Sequence, residues 1–193
     1  LDVDIVAQAK TYEENGAAMI SVLTDPVFFK GDLNYLREIS SQVTIPTLAK
    51  DFIIDEKQIV RSSNAGATVI LLIVAALPEA RLKELYDFAT GLGLEVLVET
   101  HNLAELEIAH RIGADIIGVN NRNLVTFETD LNTSLELSTH FKDQPVYISE
   151  SAIFNGEDAA LVAPYFNGIL VGTALMTAGD VAEKVKELQI DKG

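Results

Sequence analysis

At 193 residues, with 48% hydrophobic side chains and with glycine and proline spread along its length, the chain can bury a sizeable core, which excludes a disordered polypeptide. Its 29 acidic against 14 basic residues give a net charge of -15, which disfavours a nucleic-acid or anionic-membrane partner and requires any anionic ligand to be held by a local exception to that field. Without cysteine there is neither a disulfide framework nor a thiolate metal site, which fits a reducing cytoplasm; the longest apolar run, around "VILLIVAAL", falls short of the ~20 residues of a spanning helix, and the first residues carry no secretory pattern.

The chain opens on a helical pattern, "VDIVAQAKTYEENG" (3–16), followed by the β-rich apolar run "AAMISVLT" (17–24). A second helical pattern, "GDLNYLREISSQ" (31–42), leads to "TLAKDFI" (47–53) and then to "TVILLIVA" (68–75). "LPEARLKELYDFATGLG" places Pro78 at a helix start, sets Leu82, Leu85 and Ala89 on one face and stops at Gly91. The strand "EVLVETH" (95–101), the helix "NLAELEIAHRIG" (102–113), the strand "ADIIGVNN" (114–121) and the helix "DLNTSLELSTH" (130–140) follow. "VYISES" (146–151), "GILVGTAL" (168–175) and the helical "VAEKVKEL" (181–188) complete the alternation.

Most of these runs are apolar on both sides of the pleat, as in a parallel sheet covered on both faces. Their spacing of about 20 to 30 residues is that of a βα unit with a right-handed crossover. Two architectures remain, a doubly wound open sheet or a TIM (β/α)8 barrel. No "GxGxxG" or "GxxxxGK[ST]" follows a strand, which weakens the nucleotide-binding open sheets. Polar residues fall at the carboxyl ends of the runs, where a barrel gathers its active site. The expectation is therefore a single barrel domain over 1–193 with seven recognisable strands, the first strand lying upstream of Leu1. An incomplete barrel would expose strand edges, so self-association through the open edge is also expected.

Lys50 ends "TLA", and a lysine there is either a general acid or phosphate partner, or a surface lysine at a loop entrance. Glu99 follows "VLV" and is either a carboxylate facing a cavity or the first residue of a polar turn. A carboxylate opposite a lysine is an acid/base pair in outline, and equally an ordinary salt bridge. In "GVNNRNL", alternation along a strand puts Asn120 and Arg122 on one side, facing a ligand, and leaves Asn121 and Asn123 as turn formers. In "ISESAI", Glu150 can accept from a hydroxyl, while Ser151 either lets the backbone approach a ligand or caps a helix beginning near Asn155. Gly172 and Thr173, with the amides after Ser151, fall where this fold recurrently binds phosphate. His101 lies two residues beyond Glu99, which hints at a metal pair, but His110 and His140 sit in helical patterns. No metal or cofactor is expected, and His101 reads as a loop residue.

With "ISVLTD", "LAKDFI", "LLIVAAL", "VLVETH", "IGVNNRNL", "SESAI" and "LVGTALM" in this order, the chain resembles indole-3-glycerol phosphate synthase of tryptophan biosynthesis nearly end to end. The resemblance implies a (β/α)8 barrel and a lyase, a decarboxylase acting on 1-(2-carboxyphenylamino)-1-deoxyribulose 5-phosphate, a small phosphorylated anion. It would close the pyrrole ring and release CO2 and water. Lys50 would then be the general acid that protonates the substrate carbonyl, and Glu99 the carboxylate for later proton transfer and dehydration. Asn120 would orient the substrate and Arg122 would shape the anionic pocket. Glu150 and Ser151 would contact the ribulose-derived chain, and amides near Ala152, Gly172 and Thr173 would bind phosphate.

Two departures stand out. The family usually has glycine where this chain has Ala152, which adds a methyl beside the phosphate. The family's first strand carries a glutamate, a lysine and a serine-rich loop, expected upstream of Leu1, so the resemblance implies that the 193-residue chain is inactive or severely impaired. An alternative barrel, phosphoribosylanthranilate isomerase, calls for a carboxylate/cysteine pair, and the chain has no cysteine. A non-catalytic fragment or interaction module is the other alternative.

Overall fold

A computed structural model describes residues 4–190; Val3, the first residue of the opening helical pattern, lies outside them. The chain forms two compact units, Leu1–Leu97 and Val98–Gly193, divided within the fourth strand.

In the first unit, Asp4 starts α1 (Ile5–Glu14) by accepting from the N–H groups of Val6 and Ala7. β1 (Ile20–Leu23) pairs in parallel with β2 (Thr47–Lys50), Leu23 opposite Lys50. Between them lies α2 (Leu33–Ser40), capped by Asp32. α3 (Glu56–Asn64) separates β2 from β3 (Val69–Ile73), whose five residues are all buried, as expected of a parallel strand covered on both faces. A 3-10 turn, Val74–Ala76, then leads through Pro78 into α4 (Glu79–Gly91) and to β4 (Glu95–Thr100). Ile20, Val22 and Ala49 from the strands pack with Ala9, Leu36 and Ile39 from the helices to form one core cluster. Gly31 is required by close approach: a Cβ there would sit 2.1 Å from the Leu23 carbonyl oxygen, where the loop after β1 folds back over its end.

In the second unit, Asn102 caps α5 (Leu103–Arg111), followed by β5 (Ile116–Asn120), α6 (Asn132–Ser138) and β6 (Val146–Glu150). Asn155 caps α7 (Gly156–Val162), which leads to β7 (Gly168–Leu170), the short α8 (Thr173–Met176) and α9 (Val181–Leu188). The register sets Asn120 directly opposite Glu150, and Glu150 opposite Leu170. Thr100 Oγ1 donates to the Gly118 carbonyl at 2.8 Å, tying the end of β4 to β5.

Among the described residues seven strands follow one another in chain order, β1 to β7. A doubly wound sheet reverses its strand order at a switch point; this one does not, so the fold is the (β/α) barrel class with seven strands.

Two expectations are corrected, and one helix is added. The run 168–175 is not one strand: it ends at Leu170, and α8 takes Thr173 onward. Residues 74–75 leave β3 for the 3-10 turn. Helix α3, which the apolar pattern passes over because the segment is dominated by polar residues, is set by a capping box in which Asp55 and Gln58 satisfy each other's backbone N–H groups.

Candidate active site

The carboxyl ends of β4, β5 and β6 place Glu99, Asn120 and Glu150 together. Glu99 is only 2% exposed, and a buried carboxylate without partners would cost several kcal/mol. Its partners are at hand. Asn120 Nδ2 donates to Glu99 Oε1 at 3.1 Å, and Asn120 Oδ1 in turn accepts the Arg122 backbone N–H at 3.0 Å, which fixes the amide at both ends. Glu150, also 2% exposed, is a neighbour of Glu99 that favours its ionised form.

His101, beyond the end of β4, completes the cluster. Its Nε2 lies 3.2 Å from Glu99 Oε1, within ion-pair range although off the line of a hydrogen bond. Its Nδ1 lies 3.0 Å from Glu105 Oε2, the oxygen that also accepts the His101 backbone N–H at 2.8 Å. Burial by itself lowers the imidazole, but Glu105 and Glu99 outweigh it and push it up to about 9. Burial likewise raises the Glu99 carboxyl, and the neighbouring His101, Glu150 and Asn120 side chains together overcome that and hold it well below the usual carboxylate range. His101 is therefore not a simple loop residue. Among the described residues no group of three or more His, Asp or Glu is arranged to hold a metal ion.

The amides after β5 divide differently from the expected alternation. Asn123 is a turn former, its Oδ1 accepting from the N–H groups of Val125 and Thr126. Asn121 is not: it is buried, donates from Nδ2 to Ser149 Oγ and to the Ser151 carbonyl, both at 3.1 Å, and accepts the Ser134 N–H at 2.9 Å. Alternation turns it away from Asn120 and into the packing against α6, where only a group that both donates and accepts satisfies these three partners. Arg122 gives its backbone N–H to Asn120, while its guanidinium donates to the Phe127 carbonyl at 3.4 Å.

Ser151 and Ala152 both have left-handed backbone, φ 66° and 61°. Such a conformation costs a residue with a Cβ about 1–2 kcal/mol, and the Asn121 bond to the Ser151 carbonyl holds the turn in place. This strain accounts physically for the expected glycine where the chain has Ala152. Ser151 does not cap α7; Asn155 does. Gly172 and Thr173 are exposed at the start of α8, the short extra helix that follows β7.

In the first unit, Lys50 ends β2 with its backbone carbonyl accepting both the N–H and the Oγ1 of Thr24, at 3.1 and 3.2 Å. Its Nζ lies 5.2 Å from the centre of the Phe29 ring, which stacks on Phe52 at 4.9 Å. Phe28 meets the same Phe52 edge-on at 5.0 Å and remains 72% exposed. Asp51, next to Lys50, is buried, accepts the Phe52 N–H and pairs with Arg61 Nη2 at 3.2 Å, which anchors the turn that presents Lys50. This aromatic wall and the His101–Glu105 pair are the features that pattern reading missed. "PVFFKG" before α2 and the His-x-x-x-Glu spacing around the Asn102 cap were the signals available.

A (β/α) barrel that ends its strands in buried carboxylates and amides is the scaffold of an acid–base enzyme. Among solved structures, 3-hexulose-6-phosphate synthase from Salmonella typhimurium shares this fold at TM-score 0.80 and 15% identity, covering 94% of this chain and 89% of that one. Thiamine phosphate pyrophosphorylase from Pyrococcus furiosus does so at TM-score 0.73 and 18% identity, covering 97% and 88%. A family model for indole-3-glycerol phosphate synthase matches residues 1–188. Indole-3-glycerol phosphate synthase of Streptococcus thermophilus is 91% identical over all 193 residues, and that of Streptococcus sanguinis is 82% identical; the chain covers 76% of the length of each. The chain belongs to the indole-3-glycerol phosphate synthase family. The isomerase alternative is not favoured.

Two outcomes are expected. Ala152→Gly relieves the left-handed strain and raises the unfolding free energy by roughly 1 kcal/mol in urea denaturation, whereas a loss would contradict the strain. The His101 contribution to stability is whole below the ordinary imidazole value of 6.5 and is lost as pH rises through about 9, because the folded state prefers the protonated ring. The stability difference between the parent chain and His101→Gln should accordingly shrink between pH 6 and 9. A difference that stays constant with pH contradicts this.

Proposed function

We propose that the chain's strand ends carry the family's reaction, in which 1-(2-carboxyphenylamino)-1-deoxyribulose 5-phosphate closes to indole-3-glycerol phosphate with loss of CO2 and water. The observation that supports this most is the buried Glu99–Asn120–Glu150 cluster at the ends of three successive strands, where a (β/α) barrel places its chemistry. Lys50 acts as the general acid that protonates the carbonyl during ring closure. Its flexible cationic head beside an aromatic wall suits a substrate that is both anionic and aromatic, and Phe28, Phe29 and Phe52 offer the surface for the carboxyphenyl ring.

Glu99 carries the later proton transfer that accompanies loss of the hydroxyl as water. Asn120, fixed at both ends, orients the substrate, and Arg122 shapes the anionic pocket. Glu150 and Ser151 contact the ribulose-derived chain. Backbone N–H groups near Ala152, Gly172 and Thr173 take the phosphate, the last two at the start of the short helix after β7. With a net charge of -15, these local donors supply what the overall field opposes, and a small phosphorylated anion, not nucleic acid, is the partner. The reaction belongs in the cytoplasm with amino-acid biosynthesis, and 1–193 works as one barrel domain.

Turnover of the carboxyphenylamino substrate, followed by product fluorescence, tests the assignment. In the sequence extended to the full length of its relatives, Glu99→Gln and Lys50→Met are each expected to lower kcat by ~10² or more with little change in KM. Loss confined to KM would make them binding residues and overturn the acid–base assignment.

A further inference from the structure

The cluster contains one ionisable group that the proposed reaction does not use. His101 stands between two carboxylates of the same unit, Glu99 on β4 and Glu105 in the first turn of α5. Glu105 grips it twice, at the ring Nδ1 and at the backbone N–H, and Glu105 is itself held by the Asn102 side chain, which accepts the Glu105 N–H at 2.9 Å. Turning the ring away would break its contact with Glu105. With Nδ1 committed to Glu105, its remaining nitrogen faces Glu99 Oε1, the oxygen that also receives the Asn120 amide.

We propose that His101 is a positioning residue, clamped by Glu105, that holds the Glu99 carboxylate oriented and ionised, so that Glu99 enters the reaction as a proton acceptor. The proposal rests on the reading of Glu99 as an acid–base group and adds its direction.

The groups that face this unit agree. Glu105 and Glu99 both favour the protonated ring, and Asn120 donates to the Glu99 carboxylate. Glu150 is the other carboxyl group that acts on Glu99, and it too favours the ionised form of Glu99. A carboxylate that lies beside a cation and accepts from an amide is kept ionised at neutral pH while its place in the cluster stays fixed. Replacing Glu105 by glutamine keeps an oxygen for the helix start but removes the charge, so it separates the clamp's electrostatic part from its structural part.

The test uses the 193-residue chain, whose three histidines are resolved by carbon and nitrogen NMR, His101 being assigned by its loss in His101→Gln. In the parent chain the His101 ring should keep its proton well above pH 7, and its midpoint should fall by about one pH unit or more in Glu99→Gln and in Glu105→Gln. In turnover of the sequence extended to the full length of its relatives, His101→Gln should move the acidic limb of the kcat profile upward by about one unit, a loss that approaches tenfold only below the parent's own limb and disappears toward neutral pH, with KM within about twofold. Glu105→Gln should shift the limb in the same direction by less. A ring that titrates near its ordinary value, or kcat profiles that superimpose while Glu99→Gln abolishes turnover, overturns the positioning role and leaves the acid–base assignment standing. An unchanged kcat in Glu99→Gln overturns the assignment and the positioning role with it.

Discussion

The site depends on one constraint, the burial of the Glu99 carboxylate. A charge taken out of water must be met by donors or it will not stay a charge, and the ends of three strands and the first turn of α5 converge on meeting this one. Asn120 can serve because the β5 register brings it alongside Glu99, and because the Arg122 N–H fixes the other end of its amide. His101 can serve because Glu105 removes its freedom to rotate. The parallel ladder that sets Asn120 opposite Glu150 completes the arrangement, so the packing of apolar strands translates directly into the placement of polar atoms.

A second, quieter device lies one residue after Asn120 and one residue before Glu150. Asn121 and Ser149 point away from Glu99 and bond to each other, and Asn121 also holds the Ser151 carbonyl. Two consecutive left-handed residues, Ser151 and Ala152, are tolerated there because the β6–β7 ladder fixes the chain just before the turn and the Asn121 bond holds the Ser151 carbonyl within it. The turn's backbone is held by bonds within the chain itself, without help from a ligand.

Much of this was legible in the sequence. Alternating apolar runs gave the parallel barrel, and the rule that such barrels work at strand carboxyl ends singled out Lys50, Glu99, Asn120 and Glu150. What stayed hidden was set by side-chain direction and by local capping. Asn121 looked like a turn residue because asparagine forms turns, yet its partners come from α6 and β6, which lie 13 to 30 residues away in the chain. The engagement of His101 follows from the start of α5, where a strand-end histidine and a first-turn glutamate share one oxygen; a search for metal ligands by spacing does not look there. Helix α3 was written in its Asp55–Gln58 capping box more than in its hydrophobicity. The aromatic wall beside Lys50 needed the loop after β1 to be folded back over the strand end, a conformation that Gly31 permits.

The central claim is that Glu99 is buried as a carboxylate and stays one at working pH. It is tested most directly by the carbon NMR shift of the Glu99 carboxyl group, assigned through Glu99→Gln and followed from pH 7 downward. The account predicts that the carboxylate shift persists well below the ordinary glutamate value of 4.5. A carboxyl that is already protonated at or above that value would contradict it.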